Sequence, residues 1–250
     1  MEKRKIKILH LYHDLMNLYG DWANAAVMEH ELVSRGYEVE LSKKSVGDDI
    51  SFLGYDFIYI GSGTERSQQA CMRDIGKYKE AFFESIEAGA PVLSTGNSHE
   101  MFGLAVTDFK ENRYEMLGLL DFETIQKNTR VTGDCVGKAD FLNERLIGFI
   151  NRAGGSQKGE IERPFYIEPG EGAGYPASAE GIRYKNLLGT YMTGPVLVRN
   201  PPLMKYISNL ITKQKDDLPN SSNNKYKNDS FFSYQEKAYY LWNKIVDPSS

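Results

Sequence analysis

The first hundred residues alternate between short β-type segments and amphipathic helical ones, and no other feature restricts the possible folds as much. Lys5-Ile6-Lys7-Ile8-Leu9-His10-Leu11 alternates basic and apolar side chains and then becomes more apolar, the pattern of a strand whose second half enters a core. A helical stretch follows, begun by Gly20 or Asp21, with Trp22, Ala25, Met28 and Leu32 at helical spacing and Gly36 as its stop. Strands are expected near Glu38–Leu41 and over Tyr55–Ile60. A second helix carries Cys71, Ile75, Tyr78, Phe82 and Ile86 along one face up to Gly89, and Pro91–Thr95 is again a short strand. The order β-α-β-β-α-β requires crossovers, so the fold expected is α/β with a mainly parallel central sheet covered on both faces.

Beyond Gly103 the pattern changes. EMLGLLDFETIQ (115–126), TRVTGDCVGKAD (129–140) and RLIGFINRAGG (145–155) read as strands with polar turns. Gly154–Glu180 reads as a glycine-rich charged loop, and RYKNLLGTYMTG (183–194) as a strand pair. A helix is expected over Pro202–Ile211, with Pro201 or Pro202 suited to its first turn. Residues 213–230 are polar and Asn/Ser-rich, which predicts a flexible linker between a domain of residues 1–212 and a C-terminal amphipathic helix at 231–247. Ala238, Leu241 or Trp242, and Ile245 mark the apolar face of that helix, which docks on this domain or on a partner. The aromatic residues Tyr234, Tyr239, Tyr240 and Trp242 leave the same two choices open.

Composition excludes several function classes. A formal net charge of -4 gives no electrostatic case for binding nucleic acid or anionic lipid. No run approaches the ~18 consecutive apolar residues of a membrane span. The start MEKRKIKILHLYHD has a short, alternating apolar run, so it reads as a strand rather than a signal peptide and a cytoplasmic location is expected. Cys71 and Cys135 are the only cysteines, without the spacing of a zinc site or a disulfide framework. His10 and His13, with Asp14 beside them, sit where α/β proteins bind ligands, but strand alternation sends positions 10 and 13 to opposite faces unless the chain turns. No metal and no cofactor are expected.

The stretch PVLSTGNSHEMFG (91–103) runs from a short buried strand through Gly96-Asn97-Ser98 into a helix. Elbows of this kind present a nucleophile in several α/β hydrolytic folds, yet the residue at this tip is Gly96, which can attack nothing. Four stretches in order, NLYGDWAN (17–24), YIGSGTERSQ (59–68), the elbow and YKNLLGTYMTGPVLVRNP (184–201), resemble class I glutamine amidotransferase domains of the cobyric acid synthase-like group. Within that group they resemble the glutaminase subunits of bacterial lipid II isoglutaminyl synthases. The resemblance spans residue 5 to about residue 211, and NLYGDWAN and GTYMTGPVLVRNP are its most specific motifs. It implies a three-layer α/β/α class I glutamine amidotransferase-like fold and a Mur-ligase-like ATP-dependent partner subunit in peptidoglycan (cell-wall) amidation.

In that family a cysteine at the elbow attacks the glutamine amide and a histidine in the later stretch moves the proton, while amides of a glycine-rich turn hold the oxyanion. The matching positions here are Gly96 and Thr193, and the family's glutamine four residues after the nucleophile is Glu100. His99 is the last histidine of the chain, so no histidine follows the elbow. The resemblance therefore implies a pseudoenzyme, with Gly61, Ser62, Gly63, Asn97, Ser98, Glu100, Arg130 and Asn151 as pocket residues. Gly61-Ser62-Gly63 is either a polar pocket floor with free N–H groups or an ordinary turn. Arg130 is either a carboxylate-binding residue at the substrate entrance, by resemblance, or a solvated strand-end charge; Asn151 is a pocket neighbour or a turn residue. Three functions stay open: a glutaminase-dead subunit supporting the ligase-like partner, a small-molecule-binding regulatory module for an amino-acid-like ligand, and a hydrolase in which Ser98 acts with His10 or His13.

Overall fold

The alternating start of the chain forms β1 (Lys5–Leu11), whose first half shows one face to solvent and whose second half is buried throughout. A computed structural model of the chain describes residues 4–168, 178–216 and 230–246. After β1 come α1 (Trp22–Ser34), β2 (Glu38–Lys44), β3 (Phe57–Ile60), α2 (Glu65–Ile75), α3 (Lys79–Glu87) and β4 (Val92–Thr95). This is the β-α-β-β-α-β order read from the sequence, except that the second helix is broken by a 3-10 turn at Gly76–Tyr78. Gly76, a poor helix former, stands at the break.

The second half contains β5 (Ala105–Thr107), β6 (Arg113–Glu115), β7 (Phe122–Ala139), β8 (Leu146–Gly159), β9 (Phe165–Ile167) and β10 (Ser178–Glu180). Then follow β11 (Ile182–Tyr184), β12 (Leu187–Thr190), β13 (Met192–Thr193), α4 (Val196–Arg199), α5 (Pro201–Asp216) and α6 (Ser230–Val246).

One six-stranded sheet has the order β11-β12-β4-β3-β1-β2, parallel except for the β11–β12 hairpin at its edge. Its two faces carry separate cores. Ile6, Ile8, Phe57, Tyr59 and Leu93 pack under Met28 and Leu32 of α1, Leu197 of α4 and Leu203 and Ile207 of α5. Leu9, Ile58, Ile60 and Val92 face Cys71 and Ile75 of α2 and Phe82 and Ile86 of α3. This is the three-layer α/β/α arrangement. A second sheet, β10-β9-β7-β5-β6 with β8 joined to β7, is largely antiparallel and lies beyond the elbow.

Several sequence expectations need correction. Residues 154–159 are not loop but the end of β8, because β7 pairs with them and satisfies their backbone; the register slips only at a bulge between Lys127 and Arg130. Conversely, Met116–Leu120 is outside any strand and reaches back through backbone hydrogen bonds to Met101–Leu104. The helix begun at Pro201 continues past residue 212 to Asp216, shortening the expected linker; its remainder, 217–229, lies outside the described residues. The part of the expected loop at 169–177 lies outside them too. Trp22 is 56% exposed, because the first helical position precedes the turn that packs on the sheet through Ala25, Met28 and Leu32.

Candidate functional site

Parallel pairing aligns the carboxyl ends of β1, β3 and β4, with His10 opposite Tyr59 and Tyr59 opposite Leu93. The turn Gly61–Gly63 and the elbow after Thr95 therefore meet at the edge where open α/β sheets bind ligands. The elbow continues as a 3-10 helix, Gly96–Phe102, rather than an α-helix. Gly96 has φ +62°, a conformation that glycine adopts without the steric cost other residues meet.

Ser62 lies directly against this tip. A Cβ added at Gly96 would stand 2.5 Å from the Ser62 Cβ and closer still to its Oγ. The space that a side chain at the elbow would need is occupied by the serine. Gly61 is equally constrained, since a Cβ there would run into the Met16 carbonyl and within 3.2 Å of the Asp21 Cβ.

The amides of the turn are used internally. Ser62 N–H donates to Asp21 Oδ2 at 2.7 Å, and Gly63 N–H donates to Asn97 Oδ1 at 3.0 Å. Asp21, read from sequence only as a helix start, makes no side-chain cap bond to α1. Its buried carboxylate also accepts from Thr95 Oγ1 at 2.9 Å. Burial pushes its pKa up to about 6, opposed by the Ser62 amide, the Thr95 hydroxyl and the Gly194 amide. The last of these places the Thr193–Gly194 segment beside the same carboxylate. Thr193 is buried and its hydroxyl donates to the Phe149 carbonyl at 2.9 Å.

Ser98, His99 and Glu100 are buried in three separate environments. Ser98 Oγ contacts two backbone acceptors, Thr95 O at 2.8 Å and Ile60 O at 3.1 Å. A hydroxyl committed to carbonyls under full burial has no base to activate it. His10 is buried beside Tyr59, with His13 6.0 Å away ring to ring, and burial lowers its pKa to about 4. His99 Nδ1 is 2.7 Å from the Gly96 carbonyl, and its Nε2 is 3.1 Å from Gln157 Nε2. Arg163 donates to Gln157 Oε1, which fixes the amide, so Gln157 donates to His99 Nε2 and the His99 proton resides on Nδ1. Burial takes the His99 pKa down to about 3. The histidine is a neutral brace on the elbow.

Glu100 accepts from the Tyr191 hydroxyl at 2.6 Å and from Gln68 Nε2 at 2.9 Å. Gln68 Nε2 also donates to the Asn97 carbonyl at 2.6 Å. Burial raises the Glu100 pKa against these hydrogen bonds. Sequence reasoning missed Asp21, Gln68 and Tyr191 as members of this network, although all three stand inside the quoted motifs.

Arg130 and Asn151 come together on adjacent strands. Arg130 Nε donates to Asn151 Oδ1 at 2.8 Å, its Nη1 reaches Glu65 at 3.1 Å, and Asn151 Nδ2 donates to the Tyr19 hydroxyl at 2.7 Å. Beside them is a cavity of about 390 Å³, whose lining includes Glu65, Gln68, Lys127 and Arg130. Neither cysteine offers a ready thiolate: burial pushes both the Cys71 and the Cys135 thiols up to about 12. Among the described residues no group of three or more His, Cys, Asp or Glu could hold a metal ion, and no helix is long and apolar enough to cross a membrane.

Comparison with known proteins agrees with this architecture. The chain is 32% identical over 203 residues to the lipid II isoglutaminyl synthase (glutamine-hydrolyzing) subunit GatD of Staphylococcus aureus strain N315, covering 81% of this chain and 83% of that protein. It is 29% identical over 213 residues to the subunit of the same name from Streptococcus pneumoniae strain ATCC BAA-255 / R6, covering 84% and 82%. A crystal structure of a glutamine amidotransferase superposes with a TM-score of 0.51 at 13% identity, over 82% of this chain and 98% of the other, and so shares the fold. Residues 7–201 match the CobB/CobQ-like glutamine amidotransferase domain, and the chain belongs to that family.

Proposed function

We propose that this chain is a glutaminase-dead amidotransferase-like subunit that supports a Mur-ligase-like, ATP-dependent partner in an amidation of peptidoglycan precursors. The observation that carries the reading is the Ser62 side chain against Gly96. The elbow lacks a nucleophile, and the room for one is taken. The neighbouring donors and acceptors are consumed as well: Gly63 N–H by Asn97, Glu100 by Tyr191 and Gln68, and Thr193 by Phe149. A subunit that has lost hydrolysis keeps a role through its surface, and its partner then draws on free ammonia. The similarity to two lipid II isoglutaminyl synthase subunits supports the reaction class.

The test is ammonia release from glutamine by the purified chain, expected at background. Release abolished by a thiol alkylator overturns the reading. With the ligase-like partner added, ammonium chloride but not glutamine is expected to support amidation. The cavity beside Arg130 favours a second reading, a regulatory site for an amino-acid-like ligand. Stabilisation of the chain by such a ligand, lost in Arg130→Ala, distinguishes it.

A further inference from the structure

The C-terminal helix presents the wrong side to solvent for an element that merely packs on its own domain. α6 follows the family-matched region, which ends at residue 201. It docks largely through polar contacts: Gln235 Nε2 donates to the Leu197 and Val198 carbonyls at 2.9 and 2.7 Å, and Tyr239 Oη donates to the Arg145 carbonyl at 2.6 Å. Phe232 packs against the His30 ring, and Lys205 pairs with Glu236 at 2.7 Å.

Tyr234, Ala238, Leu241 and Ile245, the residues at seam spacing, are exposed. Tyr234 is 72% exposed, Leu241 64% and Ile245 72%, with Ala238 exposed between them. Burying a glutamine while leaving leucine and isoleucine in water opposes the usual driving force, so this face fits a second surface. The 4-3-4 spacing is that of a helix seam. Alongside it runs a mainly apolar groove of about 420 Å³, in which Tyr234, Ala238 and Trp242 face Ile147 and Val198. Gln235, one of the residues lining this groove, is buried at 8% exposure, and its side-chain carbonyl oxygen has no hydrogen-bond partner.

Charge narrows the occupant. The exposed charges of α6 are Lys237 and Lys244, and its single acid, Glu236, is held by Lys205. Both lysines fall on the same flank of the seam. A second copy brings the same lysines and no carboxylate to answer them. A bilayer does not fill a concave groove, and two lysines fall short of the ~4–8 that mark an anionic-lipid site. We infer that the Tyr234-Ala238-Leu241-Ile245 face and its groove receive an amphipathic helix of the ligase-like partner, one with an apolar seam flanked by Asp or Glu. The identity of that partner rests on the function proposed above.

The experiment co-expresses the full chain with the Mur-ligase-like protein of the same genome and measures their affinity. Leu241→Asp with Ile245→Asp is expected to weaken binding at least about tenfold. Lys237→Glu with Lys244→Glu is expected to weaken it roughly threefold and to reduce its salt dependence. All four positions are exposed, so unchanged melting of the variants confirms that they fold. If the wild type does not bind, the functional reading fails and this occupant with it. If the wild type binds and both double variants bind equally well, only the docking surface is overturned. Dimerisation of the isolated chain abolished by Leu241→Asp, or flotation with phosphatidylglycerol vesicles abolished by the same change, also overturns it.

Discussion

The elbow at Gly96 and the C-terminal helix treat unused surface in opposite ways. At the elbow, Ser62 occupies the space next to a glycine, Asn97 accepts from a turn amide, and Glu100 is bonded on both oxygens. At α6, apolar side chains stand in water while a glutamine is buried below them. Close packing explains the first, because unfilled space inside a protein is a void and unpaired polar groups there cost free energy. Exposure explains the second, because a surface used by another molecule has no reason to close over. The comparison separates a site that has been consolidated into the core from one that remains available.

The sharpest way to break this comparison is to put the nucleophile back. Gly96→Cys is expected to cost about 3 kcal/mol, from the clash with Ser62 and the positive φ together, read as a lowered denaturation midpoint. Ser62→Gly in the same chain is expected to recover more than half of that loss. Only in this relieved background should Thr193→His matter, by making the new thiol react with an alkylator at lower pH than it does without the histidine. Restoration by Gly96→Cys with Thr193→His alone, fully folded and reactive, would show that the serine does not fill the site.

Next in size is a pH effect confined to the buried side. Asp21 titrates near 6 and Glu180 near 7 in the folded chain, both raised mainly by burial. A folded-state pKa above the unfolded one means stability that is present below about pH 4 and is lost as pH rises through the folded value. Each carboxyl should therefore contribute a decline of up to roughly 3 kcal/mol between about pH 4 and 7, set against the rise that His10 and His99, lowered by burial to about 4 and about 3, contribute as pH climbs toward 6.5. Asp21→Asn with Glu180→Gln should remove that declining contribution and leave the histidine rise, measured as a more positive slope of the melting temperature against pH. An unchanged slope would remove these two carboxyls from the account.

How much of this was legible in the sequence follows from the range of each interaction. The parallel sheet was legible because β1, β3 and β4 are locally apolar and their order requires crossovers. That positions 96 and 193 hold glycine and threonine rather than cysteine and histidine was legible because it is a matter of identity. The filling was not, since Ser62 meets Gly96 across 34 positions and Asp21 meets Thr95 across 74. The orientation of α6 stayed open between this domain and a partner for a different reason: periodicity marks an apolar stripe but cannot tell which surface that stripe faces.

A smaller effect concerns Glu100, which the resemblance placed toward a ligand. Glu100→Gln keeps the size but replaces an acceptor-only carboxylate by an amide, so the Tyr191 hydroxyl must turn to accept and both contacts lose any charge assistance. The expected cost is about 1 kcal/mol, seen in denaturant unfolding, with no gain in glutamine binding by calorimetry. Glutamine binding that appears in this variant would mean that Glu100 faces an open pocket, and the elbow would no longer count as consolidated.

The smallest expected effect is at α6 and completes the comparison. Leu241→Ser and Ile245→Ser remove apolar atoms that are already largely in water, so neither the transfer term nor a cavity term applies to the isolated chain. Each should change stability by no more than about 0.5 kcal/mol, and the denaturant slope should be unaffected. Tyr239→Phe is the internal control. It removes the hydroxyl that donates to Arg145 and should destabilise the docked helix by about 1 kcal/mol, which local proteolysis near residue 239 would register. If the serine variants were the costly ones and Tyr239→Phe silent, α6 would dock through its apolar stripe in solution. The contrast between a closed elbow and an open helix would then be reduced to two ordinary buried regions.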